Sequence, residues 1–209
     1  MKIDDAKTYV EFKKALMGSS CSKCELSRSR TQLVIDRGNP KAQVMIIGEA
    51  PGRNEDRQGK AFVGRSGRLL DRLLEAQGFM TNVDSLIVNV VKCRPPKNRA
   101  PLAQEVVMCF PLLQKQLDLV KPRFILLLGA TALKHLIPER KKLGMAGQVG
   151  DFFTHENYPG IDFMVLYHPA FILRDPRKKP LMAKHLKRFK AQWDLFNASC
   201  LRPKMGREK

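Results

Sequence analysis

The sequence predicts an α/β fold: a three-layer α/β/α sandwich around a central four-stranded parallel sheet, with an N-terminal helix and a cysteine-bearing loop ahead of it. Four short apolar runs, Gln43–Ile47, Ser85–Val91, Arg123–Leu128 and Asp162–Tyr167, are continuous rather than alternating. Strands covered on both faces read that way. Stretches of helical spacing separate them, and strand–helix–strand alternation gives parallel strands with helices on both sides. With 209 residues, 44% of them hydrophobic, the chain is long enough for one core without disulfide staples and too apolar for disorder. Residues 1–199 are expected to form a single domain and 200–209 a basic, disordered tail.

Residues 4–17 predict the first helix. Tyr9, Phe12, Leu16 and Met17 fall on one side, and Asp4 or Asp5 is available as its cap. Gly18-Ser19-Ser20 ends it, and the first cysteine pair follows. A second helix, Gly67–Gln77, carries Leu69, Leu70, Leu73 and Leu74. A third, Leu102–Leu119, carries Val106, Val107, Phe110, Leu113 and Leu117, and a shorter one spans Thr131–Ile137. Arg140–Gly160 has four glycines and little periodicity, so irregular structure is expected. The last helix, Leu181–Phe196, sets basic residues opposite Leu186, Phe189, Trp193 and Phe196. The longest strongly apolar stretch, Phe124–Leu133, is interrupted by Gly129 and Thr131 and is about half of what a membrane helix needs. No membrane span is expected.

Charge narrows the partners. Lys and Arg number 38 against 20 Asp and Glu, a net +18, and Phe171–Lys209 alone holds 12 Lys/Arg against 3 Asp/Glu. Such a balance suits a polyanion, either nucleic acid or an acidic membrane surface; a charged surface kept for solubility is the plainer reading. Met1-Lys2-Ile3-Asp4-Asp5 has no apolar run and carries acids early, so neither a secretory leader nor a transit peptide is expected. A cytoplasmic location, nucleoid-associated should the polyanion be DNA, is expected and keeps the protein's thiols reduced. Its five cysteines then argue for metal or chemistry before disulfides.

Open parallel sheets bind ligands beyond the carboxyl ends of their strands. The first strand is followed by Gly48-Glu49-Ala50-Pro51-Gly52, the third by Gly129-Ala130 and the fourth by His168-Pro169-Ala170. Asn89 lies near the end of the second, ahead of Cys93-Arg94-Pro95-Pro96-Lys97-Asn98-Arg99. A buried amide is costly unless paired, so Asn89 either fastens loop backbone or reads a ligand. An amide offers a donor and an acceptor, as a nucleobase edge requires. Cys21-Ser22-Lys23-Cys24 is a CxxC pair; 68 residues lie between Cys24 and Cys93, and 15 between Cys93 and Cys109. Four thiolates hold zinc or an iron–sulfur cluster, and four inert core cysteines are the alternative. Cys200 is left over.

Together these residues resemble the family 4 uracil-DNA glycosylases, the iron–sulfur enzymes of bacteria and archaea. Gly48 to Gly52, with Glu55-Asp56, Gly59, Phe62-Val63-Gly64, Ser66-Gly67 and Leu69-Leu70, looks like the first family motif. Asn89-Val90-Val91-Lys92-Cys93-Arg94-Pro95-Pro96, with Asn98-Arg99 and Pro101, looks like the second, and Pro122, Leu128-Gly129 and Ala132 look like the central strand and helix start. Tyr167-His168-Pro169-Ala170, with Leu173-Arg174 and Pro176, looks like the last. The likeness covers roughly residues 20–195.

The resemblance implies the same four-stranded sheet, and a 4Fe-4S cluster on Cys21, Cys24, Cys93 and Cys109 that makes the first cysteine segment a cluster loop. It implies a monofunctional hydrolase of N-glycosyl bonds that flips uracil from single- or double-stranded DNA, excises it and leaves an abasic site, as a monomer and away from membranes. Phe62 would stack on the base, Asn89 would read its edge, and Gly48 and Ala50 would line the pocket. His168 would stabilise the departing uracil. Where related glycosylases place Asp, this chain has Ala50, which leaves Glu49 and then Glu55 as candidates to orient water. Gly64, Ser66, Gly67 and Arg174 would meet the DNA, and Lys178–Lys190 would add phosphate binding. A noncatalytic iron–sulfur DNA-binding or polymerase-accessory protein on the same fold is the alternative. A relative that cross-links to its abasic product would need an extra His near the first motif, and Gly52–Gly64 contains none.

Overall fold

All four apolar runs form parallel strands in the computed structural model, which describes residues 2–201. They are β2 (Val44–Gly48), β3 (Ser85–Asn89), β4 (Phe124–Leu128) and β6 (Asp162–Leu166), and every residue of the first three is buried. The sheet has six strands rather than four. Arg37–Gly38 (β1) runs antiparallel beside β3, Phe152–Phe153 (β5) runs antiparallel beside β6, and the order is β1-β3-β2-β4-β6-β5. Two-residue strands carry no periodicity for a sequence to display. They exist because neighbouring backbone needs partners, and they cover the open edges of the parallel core.

Alternate residues of each strand serve opposite faces. Met45, Ile47, Leu86, Val88, Ile125, Leu127, Phe163 and Val165 join one core cluster. Val44, Ile46, Ile87, Phe124, Leu126, Leu128, Met164 and Leu166 join the other. Three helices cover the first face: α1 (Tyr9–Gly18), α6 (Ala103–Val120) and α7 (Gly129–Leu136). The second face is covered by α4 (Arg65–Glu75), α8 (Pro169–Arg174) and α9 (Lys179–Leu201). Three short helices, α2 (Leu26–Ser29), α3 (Arg53–Gln58) and α5 (Thr81–Asp84), complete the α-helices among the described residues.

Helix ends correct the sequence reading in places. Thr8, not Asp4 or Asp5, caps α1: its hydroxyl accepts from the Glu11 N–H and the Glu11 carboxylate accepts from the Thr8 N–H, both at 3.2 Å. This reciprocal box satisfies two otherwise orphaned donors. Met17 and Val107, expected in the core, are 65% and 66% exposed. On α6 the buried face is set by Val106, Cys109, Leu112, Leu113, Gln116 and Leu117 instead. The segment expected to be irregular holds a 3₁₀ helix, Pro138–Leu143, and β5. The expected domain boundary after residue 199 falls inside α9, and residues 202–209 of the basic tail lie outside the described residues. No helix among the described residues is long and apolar enough to cross a membrane.

Candidate active site

Beyond the carboxyl ends of the parallel strands lies a cleft of about 480 Å³, lined by Glu49, Ala50, Phe62, Asn89, His168 and Arg174 among others. Gly48 lies beneath its floor. A Cβ on Gly48 would stand 2.4 Å from the Phe62 ring and 2.7 Å from Asn89 Oδ1. Only glycine therefore lets ring and amide meet over the strand ends. Phe62 has a left-handed backbone, φ +54°, an uncommon state for a non-glycine residue that the surroundings must enforce. Gly67 leaves room for it from behind, since a Cβ there would overlap the Phe62 carbonyl oxygen at 1.7 Å. The held ring is 5% exposed and tilts 39° against the His168 imidazole, with centroids 5.8 Å apart.

Asn89 is 1% exposed, and neither its Oδ1 nor its Nδ2 has a hydrogen-bond partner among the described residues. Leaving such an amide unpaired costs about 1–3 kcal/mol. Fold stability alone does not explain it, and Asn89 lines the cleft. The Asn89 backbone, by contrast, is fixed. It pairs with Gly48 across β2–β3, and its carbonyl accepts from Lys92 Nζ at 2.6 Å.

His168 caps α8. Its Nδ1 accepts from the Ala170 N–H at 3.1 Å, so the ring proton sits on Nε2, the only other ring nitrogen. Burial, and secondarily the nearby Arg174 guanidinium, pushes its pKa down to about 4. Near neutral pH the ring is uncharged, with one N–H to donate into the cleft.

The two candidate carboxylates separate. Glu55 is buried; one oxygen accepts from the Gly52 N–H at 3.1 Å and the other from the Gly64 N–H at 2.6 Å. It fastens the turn after β2 to the start of α4, and both oxygens are committed. Glu49 accepts from the Thr131 hydroxyl at the head of α7 through one oxygen, which leaves the other for a water.

At the start of α4, Gly64 and Gly67 are buried; Gly64 lines the cleft and its N–H donates to Glu55. Ser66 and exposed Arg65 line the opening there, and exposed Arg174 lines it at the end of α8.

Cys21, Cys24, Cys93 and Cys109 are free and line one pocket with Arg30 and Lys92. Arg30 donates to Cys93 Sγ and the Lys92 N–H donates to Cys109 Sγ, both at 3.3 Å. Burial pushes the Cys93 thiol up to about 11 and raises Cys109 as well. Among the described residues no three His, Cys, Asp or Glu gather tightly enough for a single metal ion. A four-sulfur donor set spread around one pocket, with cations beside it, fits a cluster bound by four thiolates.

The family model of the uracil DNA glycosylase superfamily matches residues 35–196. A type-4 uracil-DNA glycosylase of Saccharolobus solfataricus is 39% identical over 174 residues, covering 81% of this chain and 80% of that protein. One of Pyrobaculum aerophilum is 40% identical over 179 residues, covering 81% and 88%. The chain belongs to the type-4 uracil-DNA glycosylases. For a type-4 uracil-DNA glycosylase, the matched region takes in every cleft residue named above together with Cys93 and Cys109, while Cys21 and Cys24 precede it.

Two side-chain pairings of this type-4 site, Thr131 with Glu49 and Glu105 with Arg99, had no signal in the reading of motifs, although Arg99 itself stood in the second. Thr131, which holds Glu49, sits 82 positions away in sequence. Arg99 lines the cleft because Glu105 grips it through two bonds, at 2.6 and 2.8 Å. Glu105 also accepts from the Leu102 N–H at 2.7 Å. Only this last bond is announced by sequence, as an acid in the first turn of a helix.

Proposed function

We propose that this chain is a monofunctional glycosylase that flips uracil out of DNA and hydrolyses its N-glycosidic bond, leaving an abasic site for base excision repair. The unpartnered, buried amide of Asn89 in a cleft beyond the strand ends carries the reading, because an amide without a partner of its own is explained by a base edge.

The target nucleotide must leave the stack to be reached. Phe62 stacks on the extruded ring. Asn89 offers Oδ1 to the uracil N3–H and Nδ2 to O4, a pattern that cytosine, with an amino group and no N3–H, cannot match. As the bond from C1′ to N1 breaks, its electron pair moves into the uracil ring and charge gathers on O2. The neutral His168 donates Nε2–H to that oxygen, and a donor preset where charge develops is usually the largest catalytic contribution. The sugar becomes oxocarbenium-like, and water adds at C1′, its oxygen oriented by Glu49 and its proton passing to solvent or to the uracil anion. Arg65, Ser66, Arg174 and the basic α9 supply phosphate contacts that do not depend on sequence. The substrate is single- or double-stranded DNA, and one chain supplies every cleft group.

Cys21, Cys24, Cys93 and Cys109 would hold a 4Fe-4S cluster, which serves as a structural centre joining the segment before the sheet to the end of β3. The experiment is uracil release from a labelled oligonucleotide carrying one central U, followed by alkali. Cleavage at U and none at T or C is the expected result. Intact protein that retards the oligonucleotide without cleaving it would move the reading to a DNA-binding protein on the same fold.

A further inference from the structure

Lys92 has no solvent exposure at all. It is fastened at three points. Its Nζ donates to the Asn89 carbonyl at 2.6 Å, its N–H donates to Cys109 Sγ at 3.3 Å, and its carbonyl accepts from the Val34 N–H at 2.8 Å. One residue thus touches the end of the strand that bears the uracil-reading amide and, through its backbone, the cysteine pocket.

A buried ammonium needs negative charge nearby. Asp36 is the buried carboxylate that bears on it, and its two oxygens accept from Tyr9 at 3.0 Å and Lys13 at 2.7 Å. Lys92 also lines one pocket with Cys109 and Cys93. As thiolates around a cluster, the four cysteines bring net negative charge to that pocket.

The other half of the geometry concerns Asn89. Since nothing among the described residues hydrogen-bonds its side-chain amide, its aim depends on its backbone and on the packing around it. That backbone is held by pairing with Gly48, by the neighbouring Val90 N–H donating to the Gly48 carbonyl at 2.9 Å, and by the Lys92 clamp.

We propose that Lys92 is a positioning residue that couples the cysteine centre to uracil recognition: its buried charge is held by the cluster thiolates, and its ammonium holds the Asn89 carbonyl so that the amide meets the base edge. This rests on the reading of the four cysteines as cluster ligands. Positioning groups one step removed from a metal centre typically change affinity or activity by about 10–100-fold when lost.

The test compares the wild-type holoprotein with Lys92→Met, which removes charge and clamp, and Lys92→Arg, which keeps the charge but not the single-donor clamp. Lys92→Gln is the second neutral variant should Lys92→Met not fold. Iron and acid-labile sulfide are measured first, followed by two readouts. One is the reduction potential of the cluster. The other is inhibition of uracil release by free uracil, with kcat and KM separated. In the neutral variant the potential falls, because reduction adds negative charge to a centre that has lost a neighbouring cation. The inhibition constant for free uracil rises about tenfold or more. In Lys92→Arg the potential stays near the wild-type value while uracil inhibition still weakens. A neutral variant with an unchanged potential overturns the proposal, and so does unchanged inhibition by free uracil. Wild-type protein without iron and sulfide overturns the cluster reading itself, a failure recognised before any variant is made.

Discussion

Gly48 and Asn89 are opposite partners at the carboxyl ends of β2 and β3, and a Cβ on the first would stand 2.7 Å from the amide oxygen of the second. The same Cβ would press into the Phe62 ring at 2.4 Å. Gly48→Ala must therefore displace the stacking ring, the reading amide or both. The expected outcome is a folded protein with uracil release reduced by at least tenfold and a stability loss of about 1–3 kcal/mol, the usual cost of overpacking. Single-turnover release and a denaturant melt check the two parts.

Asn89→Leu separates stability from function. The amide has no partner to lose, so replacing it by an apolar group of similar volume removes an unpaired polar burial worth about 1–3 kcal/mol. The variant is expected to be at least as stable as the wild type and unable to release uracil at a measurable rate. A less stable Asn89→Leu protein would mean that the amide serves the fold.

His168→Ala is expected to slow single-turnover uracil release by about 10²–10³-fold, the usual loss for a donor aimed at developing charge. That loss should equal or exceed the loss in Glu49→Ala. The reverse order would make water activation, not stabilisation of the leaving group, the dominant contribution.

The pH dependence follows from the same histidine. An unfolded His takes up a proton near its ordinary 6.5, whereas the folded His168 resists until about 4. Stability from this group is therefore full above 6.5 and is lost as pH falls from 6.5 towards 4. Neutral His168 keeps its Nε2–H throughout the upper range, so uracil release should show no downward limb from this residue until the pH approaches 4. Release rates and thermal midpoints measured across that window check both signs.

Glu55 and Glu49 should fail in different ways. Glu55 accepts two backbone N–H groups, from Gly52 and Gly64. Glu55→Ala is expected to lower unfolding stability by about 2–3 kcal/mol, the scale of hydrogen bonds to a charged group. Glu49→Ala, whose side-chain bond is to the Thr131 hydroxyl, should leave stability nearly unchanged and act on the rate. Urea titration beside single-turnover kinetics separates the two.

Sequence alone determined the parts that depend on local pattern. The four parallel strands are continuous apolar runs because both faces of the sheet are covered, and the main helices show their leucine spacing. Asn89 and His168 were legible as candidate site residues because strand ends are where such sheets bind ligands, and Phe62 was named by the family resemblance. What only the tertiary structure decided are relations between distant residues. The two-residue edge strands exist through pairing and have no period of their own. Met17 and Val107 turn outward because helix rotation is fixed by what the helix packs against. The roles of Glu49 and Glu55, two acids six positions apart, are divided by Thr131 on one side and by Gly52 and Gly64 on the other. Lys92, an unremarkable cation in the sequence, becomes the link between cysteines and Asn89 only when burial leaves its ammonium no water. Hydrogen-bond partners and desolvation are properties of assembled surroundings, and no stretch of sequence contains them.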